Sequence, residues 1–367
     1  IKRAEDGMLV EANCVYLIPP RYNLLIRGGR LYLEVPPPGK VLNLPIDIFF
    51  RSLAADCGER AIAVVLSGTG SDGARGIRAV KEAGGMIMVQ AEASAKFAGM
   101  PSSAIATGVA DFVLPVEQMP EQLLNFARHP FAARVKDSTS HIPEDATQLE
   151  RVCARVREAT GIDFSNYKSA TLVRRIERRM NIAQIQDINE YVQYLYQSRT
   201  EAEALGKDLL IGVTKFFRDG DSFLALEKQL PRLFEQCMPR RTLRIWVAAC
   251  STGEEAYTIA MLCERIRQEK FPRIDLKVFA TDVDRSALEI ASAGLYPRSV
   301  VADLPQELLE RFFVVERGDH FRIVRSLRDR LIFARQDLLN DPPFTKIDMI
   351  SCRNLLIYLR PHAQRKL

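Results

Sequence analysis

A chain of 367 residues, 47% hydrophobic and 26% charged, has room for two or three domains at roughly 150 residues each, and its composition excludes a disordered or fibrous protein. Its longest apolar runs, such as 61–66, are too short to span a bilayer, and no N-terminal signal pattern is present. A net charge of +5 does not by itself call for nucleic acid.

The seven cysteines are scattered and form no C-x-x-C pair, which argues against zinc and against a disulfide framework. No metal site is expected, and reduced thiols fit a cytoplasmic protein. The chain starts at Ile1 and stops inside an apparent amphipathic helix at Leu367, so it reads as part of a longer protein.

Taken in order, residues 1–128 predict one α/β unit. Strands are expected at 15–18 and 23–26, then a turn through Arg27-Gly28-Gly29-Arg30 into 31–35, a proline loop at 36–39 and a helix over 46–55. The apolar run 61–66 reads as a buried parallel strand feeding the glycine-rich loop 67–73, with further strands at 86–90 and 112–114. That loop lacks the G-K-[ST] ending of a phosphate loop, and Asp72 would repel phosphate. Asp72 fits either the acid of a Ser-His-Asp hydrolase set or a plain helix N-cap.

Residues 129–146 read as an exposed linker rich in Ser, Thr and Pro. Residues 147–230 carry helix-spaced apolar residues throughout, at 149–158, 172–182, 188–197, 203–210 and 223–230, which predicts a small bundle. Within it Arg174/Arg178 and Arg175/Arg179 are paired at i, i+4 on one helix. That pattern fits a solvated basic face, or a docking surface for an acidic partner; interleaved aromatics that would suit single-stranded nucleic acid are missing. The segment 213–219 joins the bundle to the next domain, and Arg218 there is a candidate carboxylate clamp.

Residues 240–367 form a second α/β unit with a parallel sheet. A strand at 243–249 runs into the turn 250–253 and a helix led by Glu254 and Glu255; a second strand, 276–281, ends in Asp282 and Asp284. An acidic residue after the second strand of a doubly wound sheet holds ribose hydroxyls, and first-turn carboxylates repel phosphate. A ribose-bearing, phosphate-free, positively charged ligand fits, as S-adenosylmethionine does. The same acids are also what a helix dipole favours in any first turn. The segments 314–316 and 321–324 predict a hairpin, and 331–334 and 347–352 two more strands.

The runs 61–85 and 89–105 resemble the C-terminal half of the catalytic domain of the chemotaxis receptor methylesterase (CheB) family, which implies that Asp72 is the triad acid. The loop methionine usual in that family is Thr69 here, and residues 1–128 contain no histidine and no G-x-S-x-G, so no esterase activity is expected of this chain. R-R-I-E-R-R-M, V-T-K-F-F-R-D, A-A-C-S-T-G-E-E, F-A-T-D-V-D, A-G-L-Y and C-R-N-L-L-I-Y, in that order, resemble the chemotaxis receptor glutamate methyltransferase (CheR) family.

The fold implied is α/β overall. It comprises a partial doubly wound esterase domain (1–128), a linker (129–146), a small all-α domain (147–235) and a Rossmann-like class I methyltransferase domain with a hairpin insertion, truncated at its C-terminus (236–367). The resemblance implies S-adenosyl-L-methionine as cofactor and S-adenosyl-L-homocysteine as product. It places Thr214, Arg218, Glu254, Glu255, Asp282, Asp337, Leu338, Arg353 and Asn354 around the cofactor, and Arg218 and Tyr358 at the reacting groups. Arg174, Arg175, Arg178 and Arg179 would dock on the cytoplasmic helices of a chemoreceptor, with no nucleic acid and no membrane insertion. The rival readings are a methyltransferase acting on RNA or a small molecule, and a scaffold that binds without turnover.

Overall fold

The computed structural model describes residues 1–36, 43–128, 146–210, 212–316 and 320–367. Most of the proline loop, all but the end of the linker and the hairpin turn 317–319 lie outside the described residues. The chain divides into two compact units, Ile1–Arg155 with Leu172–Leu205, and Val156–Thr171 with Gly206–Leu367.

The first unit opens with short strands. β1 (Lys2–Arg3) pairs with β3 (Tyr16–Leu17), and β2 (Met8–Leu9) joins the antiparallel pair β4 (Asn23–Arg27) and β5 (Arg30–Glu34). The two-residue connection Gly28-Gly29 has φ of 56° and 70°, the left-handed pair that a tight hairpin requires. Helix α1 (Pro45–Cys57) follows, then a three-stranded parallel sheet in the order β6 (Ile62–Val65), β7 (Met86–Gln90), β8 (Phe112–Leu114). Helices α2 (Gly76–Glu82), α3 (Gly99–Ile105) and α4 (Met119–Arg128) accompany it.

Every residue of β7 is buried, and its period of two explains how. Met86 and Met88 pack with Met119 and Phe126, while Ile87 and Val89 pack with Phe50, Ile77, Val80 and Ala104. A sheet covered on both faces is what the unbroken apolar runs predict.

Four helices come next: α5 (Ala146–Thr160), α6 (Ser169–Ile182), α7 (Ile188–Gln197) and α8 (Arg199–Leu210). α7 begins where Asp187 accepts hydrogen bonds from the backbone N–H groups of Asn189 and Glu190.

In the second unit α9 (Gly220–Cys237) continues through Pro231, past the expected end at Leu230, because Phe234 and Cys237 are buried by the same core as Leu230. The sheet order is β14-β10-β9-β15, all parallel: β9 (Thr242–Ala248), β10 (Asp275–Asp282), β14 (Leu331–Arg335) and β15 (Met349–Ser351). β9 lies between β10 and β15, so the chain leaves it in one direction and later returns on the other side. That switch point is where such sheets hold ligands, beyond the strands' C-terminal ends.

Helices α10 (Glu254–Lys270) and α11 (Arg285–Ala293) follow β9 and β10. The predicted hairpin is β12 (Phe313–Glu316) with β13 (His320–Ile323), and β11 (Leu295–Pro297), which the sequence reading missed, makes it three-stranded. Helix α12 (Gln306–Phe312), also unread, leads into it.

Candidate active site

The turn from β9 into α10 is a run of left-handed residues: Ala249 (φ 56°), Ser251 (φ 48°) and Gly253 (φ 93°). Gly253 has no alternative. A Cβ there would lie 2.8 Å from the Cβ of Ala291 and 3.2 Å from the hydroxyl of Tyr296. This conformation turns the Ser251 N–H toward Asp282 at the end of β10, donating to Oδ2 at 2.7 Å, while the Asp284 N–H donates to Oδ1 at 3.0 Å. Burial pushes the Asp282 carboxyl up, and those backbone donors pull it part of the way back.

Asp282 lines an open cleft of about 1140 Å³ of empty space, part of it continuous with solvent. Thr214, Arg218, Glu255, Asp337, Leu338, Arg353, Asn354 and Tyr358 line the same cleft, so the sequence reading and the structure bring these side chains together. Glu255 is raised by burial; the Ser351 hydroxyl, donating to it at 2.5 Å, and the charges of Arg353 and Arg218 oppose that rise. Arg353 is held from behind: it donates to the Arg218 carbonyl at 2.7 Å and to Asp219 at 2.9 Å, and its guanidinium lies 4.7 Å from the centre of the Phe223 ring. Arg218 donates to the Val213 carbonyl at 2.7 Å. Asp337 accepts from the Leu339 N–H and the Asn340 amide, which shapes the loop bordering Leu338.

Glu254 departs from expectation. It is 6% exposed, its carboxylate accepts from the Thr252 hydroxyl at 2.6 Å, and it is not among the residues lining the cleft. At the first position of α10 it turns back on the loop, while Glu255 one step on faces the ligand space.

The sequence reading also missed residues that line the cleft, including Ile162, Tyr167, Ser251 and Gln336. Tyr167 lies in a loop nearly two hundred residues before its bridge partner Leu359, and no local pattern marks such a pairing. Ser351 could have been found, because it directly precedes Cys352 at the end of a strand on the ligand side.

Two sets of predicted residues lie in the first unit and are not among those lining this cleft. The Asp72 carboxylate accepts from the backbone N–H groups of Ile46 at 3.0 Å and Asp47 at 2.9 Å, so it caps α1. The four arginines of α6 do not form a solvated face. Arg175 and Arg178 are each 1% exposed. Arg175 donates to the carbonyls of Lys81 and Glu82, both at 2.9 Å. Arg178 donates to those of Gly84 and Gly85 and pairs with Asp111. Arg179 pairs with Glu201 at 2.5 Å, and Arg174 with Glu59 at 3.2 Å; Arg174 alone keeps a largely exposed side chain, at 44%.

Family models match most of the chain. Residues 212–367 match the CheR methyltransferase SAM binding domain, 147–210 the CheR methyltransferase all-alpha domain, and 1–123 CheB methylesterase. A chemotaxis protein methyltransferase of Listeria monocytogenes is 34% identical over 212 residues, covering 58% of this chain and 78% of that protein. A Rhodobacter capsulatus protein named "Uncharacterized 104.1 kDa protein in hypE 3'region" is 43% identical over 383 residues, covering 99% of this chain and 40% of that one, so the chain spans under half of that relative's length. The crystal structure of the Thermotoga maritima CheB methylesterase catalytic domain is 33% identical, covering 33% of this chain and 67% of that one, with a TM-score of 0.31. The chain belongs to the chemotaxis protein methyltransferase family, with a CheB methylesterase segment ahead of its two CheR domains.

Proposed function

We propose that this chain transfers a methyl group from S-adenosylmethionine to glutamate side chains of chemotaxis receptors in the cytoplasm, leaving S-adenosylhomocysteine. One observation carries the reading. Two half-buried carboxylates, Asp282 and Glu255, line one cleft at the sheet's switch point, and Arg218 and Tyr358 line it with them.

Bound S-adenosylmethionine supplies a sulfonium methyl that an ionised carboxylate takes by direct displacement. Asp282, already braced by two backbone donors, has lone pairs left for ribose hydroxyls. Glu255 places negative charge where a sulfonium and an ammonium are to be held, and Ser351 fixes its direction. The incoming glutamate needs no general base, since its free pKa is about 4.3. Arg218 is set to orient it, and Tyr358 closes the reacting end. The chain's part is positioning and exclusion of water.

Calorimetry with S-adenosylhomocysteine tests the cleft. Removing a hydrogen-bonded charge costs about 1.5–3 kcal/mol, so Asp282→Ala should bind roughly ten- to a hundredfold more weakly than the native chain. No binding by the native chain would remove the reading. Transfer itself is read by labelled methyl on receptor and its release as methanol in alkali; label on RNA instead would favour a nucleic-acid methyltransferase. Tyr167, Gln336 and Ser351 join the proposed site, and Glu254 leaves the set proposed to touch the cofactor.

The arginine helix is proposed as the receptor's docking surface, with Arg174 its exposed member. The CheB-type segment is proposed to be without esterase activity here, because residues 1–128 hold no histidine and Asp72 is engaged as a cap. Hydrolysis of a receptor methyl ester by this chain would overturn that.

A further inference from the structure

Arg175 and Arg178 are among the largest fully buried side chains of the protein. A guanidinium keeps its charge in any surroundings, so burying two of them requires a partner built to receive them. That partner is on the page. It consists of the carbonyls of Lys81 and Glu82 at the C-terminal end of α2, those of Gly84 and Gly85 just beyond, and the carboxylate of Asp111. A helix C-terminus carries partial negative charge, which suits a cation.

The receiving groups are themselves organised. Asp111 is also held by Lys81 at 2.9 Å and by the Ile87 N–H at 2.9 Å, which fixes its direction. Gly85 is itself packed tightly, since a Cβ there would lie 2.5 Å from the Ala61 carbonyl oxygen and 2.7 Å from Val80 Cγ1. At the rim, Glu59 takes Arg174.

We infer that the CheB-type segment serves as the resident partner of the arginine helix. An acidic receptor helix then gains Arg175 and Arg178 only by displacing the carbonyls and Asp111 that hold them. The inference rests on the docking reading of that helix and assigns the CheB-type segment a role that needs no catalysis: it sets the apparent affinity for receptor.

The test uses the full chain with Asp111→Ala, and Glu59→Gln as a milder rim variant should the first fail to fold. Hydrogen exchange of the amides of α6 reads the contact, and steady-state methylation of a receptor cytoplasmic fragment reads the competition. Expected for Asp111→Ala are faster exchange over Ser169–Ile182 and a KM for receptor lowered roughly tenfold or more, as loss of one hydrogen bond to a charged group implies, with kcat and S-adenosylhomocysteine affinity unchanged. Unchanged exchange in both variants would overturn the contact. Faster exchange with an unchanged or raised KM would overturn the competition. If the native chain binds no S-adenosylhomocysteine, the methyltransferase reading fails and the competition with it, while the exchange data still decide the contact.

Discussion

At the scale of single residues, the cleft is governed by what surrounds each carboxylate. Glu255 is pushed up by burial and held partly in check by the Ser351 hydroxyl. A carboxylate with a raised pKa loses its charge sooner as pH falls. Affinity for S-adenosylhomocysteine should therefore weaken at a higher pH than an ordinary glutamate, titrating near about 4.3, would give. Ser351→Ala removes a bond to the charged form, so its acid loss of affinity should begin at higher pH than in the native chain. Titration calorimetry across mildly acidic and neutral pH checks the direction; coincident profiles would exclude this role for Ser351. Three of the five carboxylates that line the cleft, Glu255, Asp282 and Asp337, and both its arginines were named from the sequence. Glu255 and Asp282 were legible by their places at a first turn and a strand end, the others with the help of the family resemblance. Asp163, in an irregular segment, carried no such signal, and Asp284 was read only as a strand end. Glu254 and Glu255 look alike in sequence as adjacent first-turn acids, and only their rotation about the helix separates the one that lines the cleft from the one that does not.

At the scale of elements, two carboxylates bind helices together at their starts. Asp72 caps α1, and Asp47, within α1, accepts from the N–H groups of Arg75 and Gly76 at 3.0 and 2.6 Å where α2 begins. Burial pushes Asp47 up to about 6, against the pull of the Gly76 N–H and the nearby arginines. Its folded pKa lies above the unfolded one. The contribution is therefore fully present below about pH 4 and is lost as pH rises through about 6. A shift of about two units corresponds to about 3 kcal/mol. Asp47→Asn keeps the acceptor but does not titrate, so relative to the native chain it should gain stability on going from acid to neutral pH. Urea midpoints on either side of the transition measure this.

Element boundaries were read best where such caps exist. α7 and α11 begin directly after Asp187 and Asp284, each of which accepts from two backbone N–H groups. β11 was unreadable because three residues ending in Pro297 and preceded by Gly294 look like a turn, and their pairing is supplied by β13.

At the scale of the whole molecule, the arginine helix shows where sequence reasoning ends. Arginines at i, i+4 look like a solvated face, and the groups that bury them are backbone carbonyls some ninety residues away, which no side chain announces. Arg178→Glu would set a second carboxylate beside Asp111 out of water. It should destabilise the first unit by about 3–5 kcal/mol, seen as a lowered melting temperature, and should do so even at high salt, which screens buried charge little. A variant that melts like the native chain would contradict the burial.

Five residues with side chains, Phe217, Asp219, Ala249, Ser251 and Asn354, hold left-handed backbone, φ 48° to 58°, in the loops around the cleft. At about 1–2 kcal/mol each, they store an amount comparable to the net stability of a domain. The second unit thus gives up part of its folding energy to keep a rigid mould standing before any ligand arrives, and little ordering entropy is left to lose on binding. Ala249→Gly would release some of that tension. Melting temperature should rise while S-adenosylhomocysteine binds more weakly, so at this turn durability and grip are set against each other.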